Sequence, residues 1–305
     1  MSINYDVIFP FYKDFKYLSR SLTSINNQKL LPKNLIFIDD GNKNKNLKNL
    51  LKNLLNSKIN LTYISFSKNK GNINGILEGS KYLKSEYFFI MATDDVYYEN
   101  LALNSLKIFE KYKKAGFVFS NIISNLEIKN RKKKIAYTFL TKNFYNKTES
   151  KKILKEKKIK FYHNTVFYRT KYFKQKNYFN VLIGPRCDFY NLIYFSSTYG
   201  FVYVDEYLAE FTIREGQINK NYKDIYLIKE IEKIKENFYE LFDIFVKLDM
   251  FFDISPLGLI SLRRTNLKRI LSLNLFIKSF YFFLWRNLRK YTPDYLVQFV
   301  YKIIN

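Results

Sequence analysis

Residues 5–95 alternate apolar runs with helical stripes across short links, and that alternation restricts the fold more than any other feature. Asp6-Val7-Ile8-Phe9-Pro10, Leu35-Ile36-Phe37-Ile38, Ile59 to Phe66 and Tyr87-Phe88-Phe89-Ile90-Met91 read as strands. They are apolar runs rather than strict alternations, the pattern of strands covered on both faces. Between them, Phe15, Leu18, Leu22 and Ile25, then Leu47, Leu50, Leu51, Leu54 and Leu55, then Ile73, Ile76, Leu77 and Leu83 recur at helical spacing. Such a chain folds as an α/β, doubly wound, Rossmann-like and mostly parallel sheet with flanking helices and right-handed crossovers. Ligands of these sheets bind beyond the carboxyl ends of the strands. Polar clusters at 10–14, 39–41 and 94–95 follow three of the strands, so they are expected to share one crevice. Asp14 and Asn100 read as helix N-caps. Capping alone explains four carboxylates at strand ends (Asp39, Asp40, Asp94 and Asp95) less well than a site does.

Downstream, a helix is expected from Asn100 to about Lys114, and Gly116 to Ser120 as a strand. Residues 125–160 are lysine-rich and weakly periodic, with Arg131-Lys132-Lys133-Lys134 among them. They read as a solvated excursion, with an acceptor-binding loop as the functional alternative. His163 to Arg169 returns to a strand, Asp188 heads a helical segment, and Phe201–Val204 and Tyr207–Phe211 are strand-like. Ile213 to Gln217 closes a first domain, 1–218.

The remaining stretch, 219–305, changes character. Ile228, Ile231, Ile234, Phe238, Leu241, Phe242 and Phe245 line a long helix, and Pro256-Leu257-Gly258 interrupts it. Phe280 to Trp285 is then flanked by Arg286, Arg289 and Lys290. Basic residues around an aromatic run suit a helix lying on an anionic membrane surface, with packing on the core or on a second subunit of a homodimer as the alternative. No run of about 18 apolar residues occurs, so no spanning segment is expected. No signal-peptide pattern is seen at the start.

The formal charge of +25 accompanies a composition crowded with Lys, Asn, Ile, Tyr and Phe, and favours anionic partners. One cysteine, Cys187, excludes an internal disulfide framework and a cysteine zinc site. One histidine, His163, leaves a Ser-His-Asp triad or a multi-histidine metal centre resting on a single residue.

Five motifs stand in a recognisable order: Val7-Ile8-Phe9-Pro10-Phe11-Tyr12, Ile38-Asp39-Asp40-Gly41, Asn69-Lys70-Gly71-Asn72, Ala92-Thr93-Asp94-Asp95, and Asp188 ahead of Phe211 to Ile218. In this the chain resembles the family-two glycosyltransferases of the GT-A fold, inverting enzymes of bacterial surface polysaccharide synthesis. The resemblance covers roughly residues 4–218. It implies that Pro10, Phe11 and Tyr12 border a nucleobase, that Asp39 accepts a hydrogen bond from a uracil-like ring edge, and that Asn69 and Gly71 belong to a loop approaching the nucleotide. Asp94 and Asp95 correspond to the family's DXD element, with Asp95 holding Mg²⁺ or Mn²⁺ against the diphosphate and Asp94 near the ribose or a metal-bound water. Asp188 takes the position of the general base.

The partners implied are a nucleotide-diphosphate sugar, UDP-sugar favoured, and a glycan or lipid-linked acceptor. The basic aromatic tail implies a location at the cytoplasmic face of the inner membrane. Two positions depart from the pattern. Ala92 stands where an additional Asp is frequent. Arg214 stands where the late motif commonly has histidine, and arginine cannot ligate a metal but pairs well with phosphate.

Three rival readings are weaker. A nucleotidyltransferase lacks its glycine-rich loop here, since Phe11-Tyr12-Lys13-Asp14 follows the first strand. A nucleic-acid-binding protein leaves the four strand-end carboxylates without a role. An inactive, donor-binding relative differs only in turnover.

Overall fold

A computed structural model describes residues 3–157, 159, 161–177, 179 and 187–214. The expected helices and aromatic run of 219–305, and the domain boundary at 218, lie outside the described residues.

In chain order the elements are β1 (Tyr5–Phe11), α1 (Phe15–Asn26), β2 (Asn34–Asp39), α2 (Leu47–Leu54), β3 (Asn60–Ser65), α3 (Asn72–Ser80), β4 (Tyr87–Ile90), β5 (Val96–Tyr97) and α4 (Leu101–Phe109). Then come β6 (Phe117–Leu126), β7 (Arg131–Ile135), β8 (Phe144–Tyr145), α5 (Lys147–Lys157), β9 (Phe167–Arg169), α6 (Thr170–Gln175), α7 (Cys187–Tyr199) and β10 (Phe201–Ile213). One mixed sheet runs β3-β2-β1-β4-β9-β6-β10-β5, with β7 paired to β6 and β8 to β10. β1, β2, β3 and β4 are parallel neighbours, as are β6 and β10, while β9 lies antiparallel between β4 and β6.

The central strands β1 and β4 are mostly apolar because both of their faces are covered. Every residue of β1 and of β4 is buried. On one face Phe9, Phe11, Phe37, Phe89, Tyr97 and Phe167 join Leu18, Leu22 and Ile25 of α1 in a common core. Their rings meet edge-on, Phe9 with Phe37 at 5.1 Å and Phe89 with Tyr97 at 4.9 Å between centroids, the arrangement favoured by the ring quadrupole.

Pro10 does not stop β1 where it stands. Phe11 O accepts from Asp40 N across to β2, and Ile8 O accepts from Met91 N across to β4. Alternation therefore turns Pro10 toward β4, where the paired register has already ended at Ile8 and Ile90. The missing N–H falls where no ladder bond is needed.

Two buried charges fix the sheet. Asp6 accepts from Lys84 N at 2.6 Å, Ser85 N at 2.8 Å, Ser85 Oγ at 2.7 Å and Asn34 Nδ2 at 2.7 Å, tying β1, β2 and the turn into β4 together at their amino ends. Arg169 lies over the Phe109 ring and donates to the carbonyls of Phe109, Tyr112 and Ala115, so its guanidinium closes the carboxyl end of α4. The Glu86 carboxylate completes the pairing at 2.7 Å.

The stretch 125–160, expected as a solvated excursion, does expose Arg131 to Lys134 but carries regular elements. β6 continues to Leu126, and Arg131 to Ile135 pairs back onto it as β7, with β8 and α5 following. Ladder bonds to β6 hold a strand of exposed cations that no hydrophobic alternation announces. The helix expected to about Lys114 ends at Phe109.

Candidate functional site

The register aligns Phe11 with Asp39, and Met91 follows Ile90 alongside Ile8. Parallel strands thus deliver Asp39, Asp40 and the Met91–Asp95 segment to one edge of the sheet, the crevice position expected of this architecture.

Asp39 is 2% exposed, and donors surround both of its oxygens. Oδ1 accepts from Asn42 N at 2.9 Å and Asn42 Nδ2 at 2.8 Å, and Oδ2 from Tyr63 OH at 2.5 Å and Ser65 Oγ at 3.3 Å. Burial, then the adjacent carboxylate, pushes the Tyr63 phenol far up, so it remains a donor. Asp40, 3% exposed, accepts from Lys70 N at 2.6 Å and Gly71 N at 2.9 Å, and so holds the Asn69–Asn72 loop against the strand ends.

Gly71 opens α3 at φ +87 and ψ 156, a conformation open essentially to glycine alone. A Cβ there meets nothing within 4 Å, so backbone torsion and not close approach requires the glycine. Close approach is the property of Gly41, whose added Cβ would stand 2.5 Å from Asn69 N. Of the remaining residues expected here, Tyr12 and Asn69 are exposed, and the Pro10 side chain lies against α3 at Gly75. The Phe11 ring is buried between Phe9, Phe15 and Phe37, so it supports the floor of the crevice and does not line it.

Asp95 is 1% exposed and accepts from the backbone N of Thr212 on β10 at 2.9 Å. Burial, then the neighbouring Asp94 charge, raises its carboxyl well above the ordinary range, against the Thr212 N–H and Arg20. Asp94 Oδ2 accepts from Arg214 Nε at 2.6 Å, and Arg214 Nη2 continues to Asp14 Oδ2 at 2.7 Å. Asp14 therefore spends its side chain on this ion pair and makes no side-chain cap bond to α1. Arg20 Nη2 donates to the Asp94 carbonyl at 2.6 Å and to Thr212 Oγ1 at 3.4 Å. Both guanidinium groups lie over the Tyr17 ring, at 5.1 Å for Arg20 and 5.2 Å for Arg214. The Tyr17 hydroxyl donates to Glu127 at 2.6 Å.

Mg²⁺ at phosphate sites is bound by one or two carboxylates, with waters and phosphate oxygens completing the shell. Here one carboxylate is engaged by Arg214 and the other is buried against a backbone N–H. Among the described residues no group of three His, Cys, Asp or Glu side chains assembles.

Asp188 lies in the first turn of α7 and is partly exposed. Its charge reaches His163, whose imidazole is held below its ordinary value by burial, with Asp188 opposing. His163–Thr165 forms a 3-10 turn just before β9, packed against β4, β6 and β10. Because β9 runs antiparallel to β4, that turn sits at the carboxyl end of β4. The Asp188 charge also reaches Tyr168 of β9, which pairs with Phe88 of β4.

Arg20, Asp40, Tyr63 and Thr212 have site contacts that the motifs did not assign. For Arg20 a signal was present, since Asp14, Tyr17 and Arg20 recur every three residues on one side of α1.

Residues 6–175 match the family described as glycosyl transferase family 2. No curated protein matches the chain. Among solved structures, S. aureus TarS 1-349 in complex with UDP-GlcNAc is 15% identical, with 91% of this chain and 79% of that chain covered at a TM-score of 0.62. TarS 1-349 in complex with UDP is 16% identical, with 91% and 81% covered at 0.61. At these identities the likeness is one of fold, and it extends the GT-A description to this sheet. The family match covers more than half of the sequence, and on it the chain belongs to glycosyl transferase family 2.

Proposed function

We propose that this glycosyltransferase moves a sugar from a nucleotide-diphosphate sugar, UDP-sugar favoured, to a glycan or lipid-linked acceptor of a surface polysaccharide, with inversion. The observation carrying the reading is the gathering of Asp39, the loop held by Asp40, and the Asp94–Asp95 pair along one sheet edge. Similar folds that bind UDP and UDP-GlcNAc support the same class of donor. In this reading Asp39 and Tyr12 face the base, the Asn69–Asn72 loop the ribose and phosphates, and Asp94 the ribose.

The acceptor hydroxyl oxygen bonds to the anomeric carbon as the bond from that carbon to the diphosphate oxygen breaks. The electron pair leaves with the diphosphate, and the hydroxyl proton passes to the Asp188 carboxylate. Attack opposite the leaving group inverts the anomeric centre in a single displacement. Asp188 is partly exposed, which keeps its carboxylate open to the acceptor proton.

The basic and aromatic sequence of 280–290 supports placement of the enzyme on the inner face of the membrane. No helix among the described residues is long and apolar enough to cross a membrane.

The test is transfer by Asp188→Asn with UDP-sugars and a panel of glycan and lipid-linked acceptors, with the product anomer read by NMR. A fall in kcat of about a hundredfold or more with donor affinity retained is expected for loss of a general base. Wild-type turnover by the variant, or a product of retained configuration, overturns the assignment.

A further inference from the structure

The donor site proposed above must neutralise a diphosphate, and resting on that reading we infer that Arg20 and Arg214 are its cation. Both guanidinium groups stand at the acid pair: Arg20 on the Asp94 carbonyl and Arg214 on the Asp94 carboxylate. They come from opposite ends of the described chain, α1 and the residue following β10, and converge on one tyrosine ring. Asp14 holds Arg214 from behind, and Thr212 Oγ1 holds Arg20.

Each arginine keeps donors in reserve. A guanidinium carries five N–H groups in a planar fork. Arg20 uses Nη2, Arg214 uses Nε and Nη2, and Nη1 of each has no partner among the described residues. Two forks held side by side match the oxygens of a diphosphate, the group arginine recognises bidentately.

Protein groups engage both carboxylates of the acid pair in this structure. Asp94 is the counterion of Arg214, and Asp95 is turned into the protein onto Thr212 N. Glu127 is engaged by Tyr17 and Lys16. Diphosphate entry therefore exchanges one anion for another at Arg214, releasing Asp94. As the bond from the anomeric carbon to the diphosphate breaks, the growing negative charge on the leaving group is met by donors already held at the acid pair.

The measurement is calorimetric titration of the full chain with UDP and with inorganic pyrophosphate, in EDTA and again with Mn²⁺. Wild type, Arg20→Gln, Arg214→Gln, Arg214→Lys and Asp94→Asn are compared, with a thermal melt of each as a check on folding. We expect UDP and pyrophosphate to bind in EDTA, and either glutamine variant to weaken both by about tenfold to a hundredfold, as loss of a charge-assisted bond predicts. Arg214→Lys recovers part of the loss. Asp94→Asn binds pyrophosphate in EDTA as tightly as wild type or tighter, because it removes the competitor for Arg214.

UDP binding that requires Mn²⁺ overturns the inference and leaves the nucleotide-sugar reading standing. Unchanged affinity in both glutamine variants, or weaker pyrophosphate binding by Asp94→Asn, overturns it as well. Absence of UDP binding under every condition overturns the nucleotide-sugar reading and this inference with it.

Discussion

Replacing Gly71 with alanine separates backbone torsion from crowding at the donor loop. The added methyl meets nothing within 4 Å, so Gly71→Ala introduces no clash. Its cost is the strain of holding an L-residue at φ +87 and ψ 156, about 1–3 kcal/mol. The chain can escape that strain only by turning the peptide and breaking the 2.9 Å bond from Gly71 N to the Asp40 carboxylate. Such a charge-assisted bond contributes about 1.5–3 kcal/mol, so either route lands in the same range. The expected loss is about 2 kcal/mol, or roughly 4–8 °C in Tm for a domain of this size.

Gly41→Ala is the comparison. Its methyl would sit 2.5 Å from the Asn69 backbone nitrogen, and its φ of +78 is also unfavourable. There the loop itself must move, and the loss should exceed that of Gly71→Ala by about 1–3 kcal/mol, the scale of forcing extra atoms into a packed site. Urea denaturation of both variants, with UDP affinity measured in parallel, reads the difference. A Gly71→Ala protein less stable than Gly41→Ala, or both indistinguishable from wild type, refutes the account of the loop.

Other expectations follow from single groups. Asp6→Ala leaves two backbone N–H groups and two side chains without their acceptor, and should lower stability by about 3 kcal/mol in denaturant titration without altering substrate preference. His163 has a folded pKa below its ordinary 6.5, so the unfolded chain binds the extra proton. Stability then falls as pH drops below about 6.5, and His163→Gln should flatten that slope in pH-dependent melts, the chain having one histidine. A slope unchanged in the variant assigns it elsewhere. The full chain should sediment with vesicles rich in anionic lipid and be released by salt, whereas equal binding to neutral vesicles contradicts the surface reading of 280–290.

The carboxyl edge of the sheet is legible in the sequence because buried parallel strands must be apolar along their whole length, and whatever polar residue follows them is conspicuous. Tyr87–Ile90 and the acids after Ala92 are the clearest instance. The other half is less so. β9 is three residues long, and nothing in Phe167-Tyr168-Arg169 records that it runs antiparallel to β4. β7 is held by β6 alone, so Arg131 to Lys134 can all be charged and still form a strand. Asp14 reads locally as a cap, and its pairing with Arg214 is a contact across 200 residues that no local pattern contains. Arg20 stays hidden for a similar reason, since an exposed arginine on a surface helix looks like solubility until β4 and β10 end beside it.

β10 reaches the acid pair along 13 residues, but its ladder to β6 is not continuous. Val204 to Ala209 lies opposite only Ser120 to Ile122, with register shifts on both sides of Tyr207. Beyond them the pairing is regular again, Thr212 against Asn125 and Ile213 against Leu126. In an unbroken strand, one residue gained or lost upstream would turn Thr212 and Arg214 to the opposite face of the sheet. Here the bulged middle absorbs such a change as a larger or smaller loop-out, while the last rungs stay in phase. Descendants of this chain can therefore drift in length through residues 204–209 and still inherit the Asp95 and Asp94 contacts intact.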